Sequence, residues 1–323
     1  MATDDMVDSA GAVRPLPAWE LLDIGVTPGE LAGPGWSSPY RGVHRPADPT
    51  RVASPLQRIM DVAELLPVGA ALGGWAAAYL LGATEMDGRG WSGQQVQPVP
   101  VVLPPPVLIR ARTGLTRWRS VLGDDDVVVV DGIPVTSAVR TGFDLVRRSQ
   151  LRDGVTVLDL LGRQLRLSPD AVSSYAQRHR KWRGLPRVAP AVELADIRAR
   201  SAGETRLRLT WILDAQLPRP EVNPRVFDLD GQLVAEADLL DPEAGVVVEH
   251  DGSQHRELAN HVLDNAREEW VEDTGLIVVR TCSPDLWVEN RRRTVLRLQV
   301  AHRRGSSRDR NRDRWTWTPQ DLP

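Results

Sequence analysis

The stretch that decides the fold is Asp238–His255, which reads D-L-L-D-P-E-A-G-V-V-V-E-H-D-G-S-Q-H. Its three consecutive valines predict a short strand buried on both faces, which ends in Glu249 and Asp251. Because residues two apart on a strand share a face, these two carboxylates point the same way. Asp238 lies at the end of the preceding apolar run, and His255 adds an imidazole. Oxygen-rich clusters of this kind suit a hard divalent cation such as Mg²⁺ or Mn²⁺.

Two interpretations of these carboxylates are open from the residues alone. Like charges repel one another unless a cation or a proton lies among them, and this favours a metal site. A phosphodiester hydrolase needs such an ion to stabilise charge on the phosphate and to activate water. Alternatively, the acids only mark the ends of strands that reach solvent.

The sequence on either side of this stretch predicts a mixed sheet with helices packed against it. A hairpin followed by strand, helix and strand gives this arrangement, because the last two strands must run parallel. The order is α-β-β-β-α-β-α, and each element has a local signal, such as a capping box or a turn dipeptide. The predicted elements are a helix from Ser201, strands over Val222–Leu229, Leu233–Leu240 and Gly245–Glu249, a helix over 258–274, a strand over Leu276–Arg280 and a helix over 284–302.

In this order the residues resemble the PD-(D/E)XK nucleases, whose restriction-endonuclease-like core is αβββαβ with a mixed four-stranded sheet. Residues 201–303 look most like the branch related to very-short-patch-repair endonucleases, a domain of unknown function common in actinobacteria. The motifs that carry the resemblance are Asp238-Leu239, Glu249–His255, Asp264-Asn265-Ala266-Arg267 and Gly275–Arg280.

The resemblance implies a metal-dependent DNA endonuclease that acts in DNA repair or phage defence. It implies Mg²⁺ or Mn²⁺ bound by Asp238 and Glu249. In one respect the chain departs from the family, because Asp251 stands where the motif has a lysine and the only lysine is Lys181. Activation of water would then depend on metal and imidazole. The catalytic residues implied are Glu204 as the helical acid, Asp238, Glu249, Asp251, and His255 as general base or phosphate contact.

Arginines supply the predicted contacts to nucleic acid. Arg267 lies three residues after Asp264 on a helix, so it forms either an ion pair or a phosphate contact. Arg280 ends an apolar strand, which favours a phosphate or a carboxylate as its partner. A basic, aromatic C-terminal segment also suits binding to a phosphate backbone, although a solvated end explains it equally well. The predicted nucleic-acid-binding residues are Arg267, Arg280, Arg291, Arg292 and Arg293.

The region before residue 190 resembles the antitoxin of type IV abortive-infection systems. The motifs are Arg41–His44, Gly132–Ser137, Arg140-Thr141 and Phe143–Leu145. This resemblance implies a degenerate winged-helix element over 1–50 and an antitoxin-like α+β domain over 51–190, in a mainly helical N-terminal region. The Tyr40–Arg45 segment is either the wing or an ordinary surface hairpin. The function implied is non-catalytic DNA-binding regulation, the alternative to nuclease activity.

Bulk composition restricts the partners and the location. The 323-residue chain has a net charge of −3, so DNA would bind through local patches. The single cysteine, Cys282, excludes an intramolecular disulfide and a cysteine-rich zinc site. Without a signal peptide or a membrane-spanning stretch, we expect a cytoplasmic protein with no membrane partner. DNA and a toxin or defence-system protein are the expected partners, the oligomeric state is left open, and 304–323 is predicted to be a basic, flexible tail.

Overall fold

The structure, a computed structural model, describes residues 12–48, 52–90, 93, 95–251 and 274–320. It is mixed α/β, as the sequence predicts, and it contains several sheets. Contacts divide the chain into two compact units, Met1–Leu145 and Val146–Pro323. The domain boundaries drawn from the sequence stay predictions.

The first unit begins with a small three-stranded antiparallel sheet of order β1-β3-β2. A capping box begins the second of its two short helices, because Thr27 accepts from the backbone N–H of Glu30 and the Glu30 carboxylate accepts from that of Thr27. The elements are β1 (Leu16–Pro17), α1 (Ala18–Asp23), α2 (Pro28–Leu31), β2 (Trp36–Tyr40) and β3 (Val43–Pro46).

A five-stranded sheet of order β6-β5-β4-β8-β7 forms the rest of the first unit. The sequence predicts a mainly helical N-terminal region, and the described part of 52–145 combines helices with the five strands of this sheet. The strands pair over long sequence separations, as Leu72 does with Val135, so local patterns do not reveal the sheet. The elements are α3 (Pro55–Ala63), β4 (Ala71–Leu72), α4 (Gly74–Leu80), β5 (Val99–Leu103), β6 (Leu115–Arg119), β7 (Val127–Val130), β8 (Ile133–Thr136) and α5 (Ala138–Arg148).

Strand β5 differs from what the neighbouring prolines predict. The prolines at 104–106 suggest that Val99–Arg110 forms edge strands or a linker, yet β5 lies between β6 and β4 and is fully buried. The prolines follow the last residue of the strand, so their missing backbone N–H groups remove no hydrogen bond between β5 and its neighbours.

Residues of the antitoxin-like pattern lie in the core of the first unit. The Arg140 guanidinium is fully buried and contacts the carboxylates of Asp126 and Asp144, each at 2.7 Å. The Thr136 and Thr141 hydroxyls lie 2.6 Å apart. These side chains therefore hold the unit together rather than face a ligand.

In the second unit a four-stranded mixed sheet lies between helices and a smaller sheet. Its order is β14-β13-β12-β9, with β13 and β14 parallel and the other pairs antiparallel. The elements are α6 (Leu151–Leu165), α7 (Pro169–Arg178), α8 (Val188–Leu194), α9 (Ala202–Leu209), β9 (Glu221–Val222), β10 (Arg225–Asp228), β11 (Leu233–Glu236), β12 (Leu239–Asp241), β13 (Val246–Asp251), β14 (Ile277–Cys282), α10 (Val288–Ser306) and β15 (Trp315–Thr318).

The central strands are buried on both faces, as their continuous apolar sequence predicts. Leu239, Val246 and Val248 pack against side chains of α9 and α10. Leu240 and Val247 face the opposite way and pack against β10 and β11. The strand ends that carry the acidic residues are therefore held between two apolar layers.

The predicted hairpin forms, but each of its arms is divided between two sheets. Asn223 takes a positive φ of 50° before Pro224, which breaks the first arm into β9 and β10. The second arm breaks at Ala237-Asp238 into β11 and β12. Asp238 therefore occupies the break itself, at the start of β12.

The C-terminal segment differs from the predicted flexible tail. Trp315 to Thr318 form β15, which pairs antiparallel with β10 to complete a three-stranded sheet of order β11-β10-β15. Trp315 and Trp317 pack against the apolar cluster between the two sheets. Within the described ranges, no helix is both long and apolar enough to cross a membrane.

Candidate functional site

Strand register brings Asp238 and Glu249 together. Leu239 pairs with Val248, so Asp238 and Glu249 occupy the next pair of positions. Directly opposed residues of antiparallel strands lie on the same face. The backbone N–H of His250 donates to Oδ2 of Asp238 at 2.5 Å, which fixes this carboxylate beside the end of β13.

Glu204 reaches the same place from helix α9. The helix begins at Ser201, whose hydroxyl accepts from the backbone N–H of Glu204 at 3.1 Å. Oε2 of the buried Glu204 carboxylate accepts from the Arg200 backbone N–H at 2.7 Å and from Nδ2 of Asn223 at 2.8 Å. The carboxylate is thus directed at the break in the hairpin, where Asp238 lies.

The surroundings of Asp238 favour its protonated form. Burial, together with the neighbouring negative charges of Glu204 and Glu249, raises its pKa to about 7. The hydrogen bond from His250 and the positive charge of Arg200 act in the opposite direction and do not compensate. Asp238 therefore binds a proton more readily than an ordinary aspartate.

Arg280 contacts a carboxylate, one of the two partners that the sequence allows. It is the register partner of Glu249 on the parallel strand β14, and its Nε donates to Oε2 of Glu249 at 3.3 Å. Both side chains are partly exposed, with 29% of Arg280 and 24% of Glu249 accessible. The guanidinium therefore has an accessible surface beside the acidic cluster.

His250 is a site residue that the sequence motifs do not single out. A Cβ on Gly203 would lie 2.5 Å from its ring, so α9 packs directly on the imidazole. Nδ1 lies 3.1 Å from the Thr281 hydroxyl, and burial lowers the pKa of the ring. The ring packed against α9 belongs to the residue whose backbone N–H donates to Asp238.

Asn223 is the second residue that sequence reasoning missed. It is 98% buried, and its amide donates to Arg198 O and to Glu204. The Asn-Pro dipeptide between two apolar runs is a signal that predicts a turn at Asn223. It does not predict the hydrogen bond to Glu204.

Asp251 lies at the end of β13, two residues after Glu249. It is in register with Cys282, and its negative charge raises the pKa of His250 and of that thiol.

The remaining predicted residues are separate from this cluster. Arg291 is partly buried on α10, and Arg292 and Arg293 are exposed on the same helix. His255 and Arg267 lie outside the described residues.

Donor chemistry at the cluster is compatible with a divalent cation. Each of Glu204, Asp238 and Glu249 uses one carboxylate oxygen in the contacts above, and mutual repulsion of the three would be relieved by a cation. Mg²⁺ is commonly held by one or two carboxylates, with water and substrate oxygens in the other positions. Across the described residues, no group of three or more His, Cys, Asp or Glu side chains has a geometry that could hold a metal. Any ion held here would therefore have at most two of these carboxylates as ligands.

Comparison with known proteins gives no relative: no family model, curated protein or solved structure matches the chain. Any functional assignment therefore depends on the residues and their geometry.

Proposed function

We propose that this protein is a metal-dependent DNA endonuclease of the PD-(D/E)XK type, which hydrolyses phosphodiester bonds. The observation that carries the proposal is the position of Asp238, which strand register sets opposite Glu249 and toward which the buried Glu204 carboxylate is directed. An acid that only marked the end of a strand would be solvated or paired with a cation, as Glu249 is with Arg280, whereas Asp238 is partly buried beside two carboxylates. Crowded, partly buried carboxylates are instead typical of functional sites.

The topology of the second unit supports the same proposal. A helix bearing an acid, three antiparallel strands and a fourth strand parallel to the third follow the order of the restriction-endonuclease-like core. The β10–β11 hairpin extends the first two strands outside the sheet. The connection from β13 to β14, where the family has its second helix, lies outside the described residues.

In this proposal Asp238 and Glu249 hold Mg²⁺ or Mn²⁺. A bound divalent cation supplies Lewis-acid stabilisation of the phosphate and lowers the pKa of water. Glu204 positions Asp238 by its negative charge, and it is itself held by Asn223 and the Arg200 backbone. Arg280, beside Glu249, is placed to contact a phosphate oxygen. His255 remains the proposed general base, on the resemblance alone.

The test is nicking of supercoiled plasmid DNA in Mg²⁺ or Mn²⁺. We expect cleavage by the wild-type protein, none in a chelator, and background activity for Asp238→Asn. Asp230→Asn is the matched control, because Asp230 is an exposed acid in the turn of the hairpin. Equal cleavage by the two variants would assign the activity to a contaminant or another site.

A non-catalytic DNA-binding regulator of type IV antitoxin type is the second candidate. The observation that favours it is Asp251 in the place of the motif lysine, which removes an amine from the reaction site. The small β1–β3 sheet with its two short helices would then serve as the winged-helix element. This candidate predicts sequence-specific binding of duplex DNA in a chelator, with no cleavage under any divalent ion. A toxin or defence-system protein would be its partner.

A further inference from the structure

A cleft in the second unit is lined by arginines from three different helices. Arg152 of α6, Arg206 of α9 and Arg291 of α10 line a cavity of about 440 Å³. This volume lies within the range of small-molecule sites, roughly 300–1,000 Å³. Three helices thus converge to place three guanidinium groups around one ligand-sized space.

Positive charge exceeds negative charge at this cleft. Asp153 is the carboxylate that lines it, 3.3 Å from Arg206. Asp214 lies 2.7 Å from Arg152 and 3.8 Å from Arg291, so one carboxylate serves two guanidinium groups. Three arginines and one aspartate therefore line the cleft, and Asp214 adjoins two of the arginines.

The arginines also disfavour one another's charge. Burial lowers the pKa of Arg152 and of Arg206, and the positive charge of Arg291 lowers both further. Nε of Arg291 is buried, and Asp214 Oδ2 lies 3.8 Å from it, beyond hydrogen-bond distance. An anion in the cleft would relieve the repulsion between the guanidinium groups.

The cleft is distinct from the carboxylate cluster. Glu204 and Arg206 are two residues apart on α9, about 200° around the helix axis, so their side chains leave on nearly opposite sides. A ligand in the cleft therefore does not occupy the space beside Asp238.

We propose that the Arg152–Arg206–Arg291 cleft binds a phosphate group, presented either by a mononucleotide or by the backbone of nucleic acid. The planar guanidinium fork matches the oxygens of phosphate, and a set of three can surround one phosphate from several directions. The proposal is independent of nuclease activity and holds whether or not the carboxylate cluster cleaves DNA.

The first experiment measures binding of inorganic phosphate and of deoxythymidine monophosphate by calorimetry, in a chelator. We expect Arg291→Gln and Arg206→Gln to weaken binding about tenfold or more. Arg303→Gln is the matched control, because it removes the same charge from an exposed position on α10. Arg291→Lys keeps the charge without the fork and should bind with intermediate affinity. Circular dichroism of each variant excludes loss of the fold.

The second experiment measures binding of a short duplex DNA as a function of salt, also in a chelator. If the backbone supplies the phosphate, Arg291→Gln and Arg206→Gln weaken duplex binding and reduce its salt dependence, whereas the free ligands do not bind. If the wild-type protein binds the free ligands and both variants lose this binding, the proposal is supported and the phosphate comes from a small molecule. The proposal is overturned if neither assay separates these variants from Arg303→Gln.

Discussion

Two aspartates in the second unit lie in contrasting surroundings. Asp159 on α6 is buried and contacts Arg208 at 2.6 Å, the Thr205 hydroxyl at 2.7 Å and the Asp196 backbone N–H at 2.7 Å. Burial raises its pKa to about 6, and every contact lowers it. The charge of Asp159 is thus partly compensated within the fold.

Asp238, in contrast, has one backbone hydrogen bond and two carboxylate neighbours. Burial raises its pKa to about 7, with Glu204 and Glu249 acting in the same direction. The aspartate at position 159 is therefore structural, whereas the aspartate at position 238 would be stabilised by a proton or a cation. This difference is the reason for placing a function at Asp238 and none at Asp159.

Removal of the compensated charge should have the largest effect. Asp159→Asn leaves the fully buried Arg208 without its carboxylate, so we expect a loss of about 3–5 kcal/mol in the free energy of unfolding. Urea denaturation at pH 8 measures it. The exposed control Asp230→Asn should change stability by less than about 0.5 kcal/mol. A loss at Asp159 as small as that of the control would show that the ion pair is not structural.

Removal of the uncompensated charge of Asp238 should change the free energy of unfolding in the opposite direction. Asp238→Asn eliminates repulsion with two carboxylates, and a tenfold change in proton affinity is worth about 1.4 kcal/mol. In metal-free buffer at pH 8 we therefore expect a gain of roughly 2–3 kcal/mol over the wild type. A less stable variant at pH 8 would mean that the Asp238 carboxylate is already compensated.

The pH dependence of this gain follows from the direction of the pKa shift. Asp238 binds its proton more tightly in the folded state than at its ordinary pKa of 3.8. Proton binding at Asp238 therefore stabilises the folded state fully below pH 3.8, and this stabilisation is lost as the pH rises through about 7. The advantage of Asp238→Asn should accordingly shrink between pH 8 and pH 5.

Glu204→Gln should give the smallest effect. The amide oxygen of Gln can accept from Arg200 and Asn223 as Glu204 does, while one negative charge beside Asp238 disappears. We expect the pKa of Asp238 to fall and the metal-free protein to gain roughly 1 kcal/mol at pH 8. The midpoint of urea denaturation, measured as a function of pH, reports both the pKa of Asp238 and the gain in stability. An unchanged profile would place Glu204 outside the cluster.

Local sequence signals predict the framework of the site. The valine run gives β13, the capping residue gives α9, and the Asp230-Gly231 turn gives the hairpin. These signals depend on neighbours within a few residues, and together they bring Asp238 to Glu249. The proximity of Glu204 follows only from the resemblance.

Features that depend on distant contacts escape the same reasoning. The burial of His250 against Gly203, the hydrogen bond from Asn223 to Glu204 and the pairing of β15 with β10 each join segments far apart in sequence. The Arg152–Arg206–Arg291 cleft is of the same kind, since its arginines come from three separate helices. Tertiary packing decides all of them, and a single sequence does not reveal it.

The central claim is that the carboxylates around Asp238 bind a divalent cation, and Mn²⁺ binding followed by electron paramagnetic resonance tests it most directly. Mn²⁺ is a suitable probe because it shares the oxygen ligands of Mg²⁺. We predict that the wild-type protein binds Mn²⁺, that Mg²⁺ displaces it, and that Asp238→Asn weakens binding about tenfold or more, whereas Asp230→Asn does not. Absence of binding by the wild type, or equal binding by wild type and Asp238→Asn, would contradict the claim.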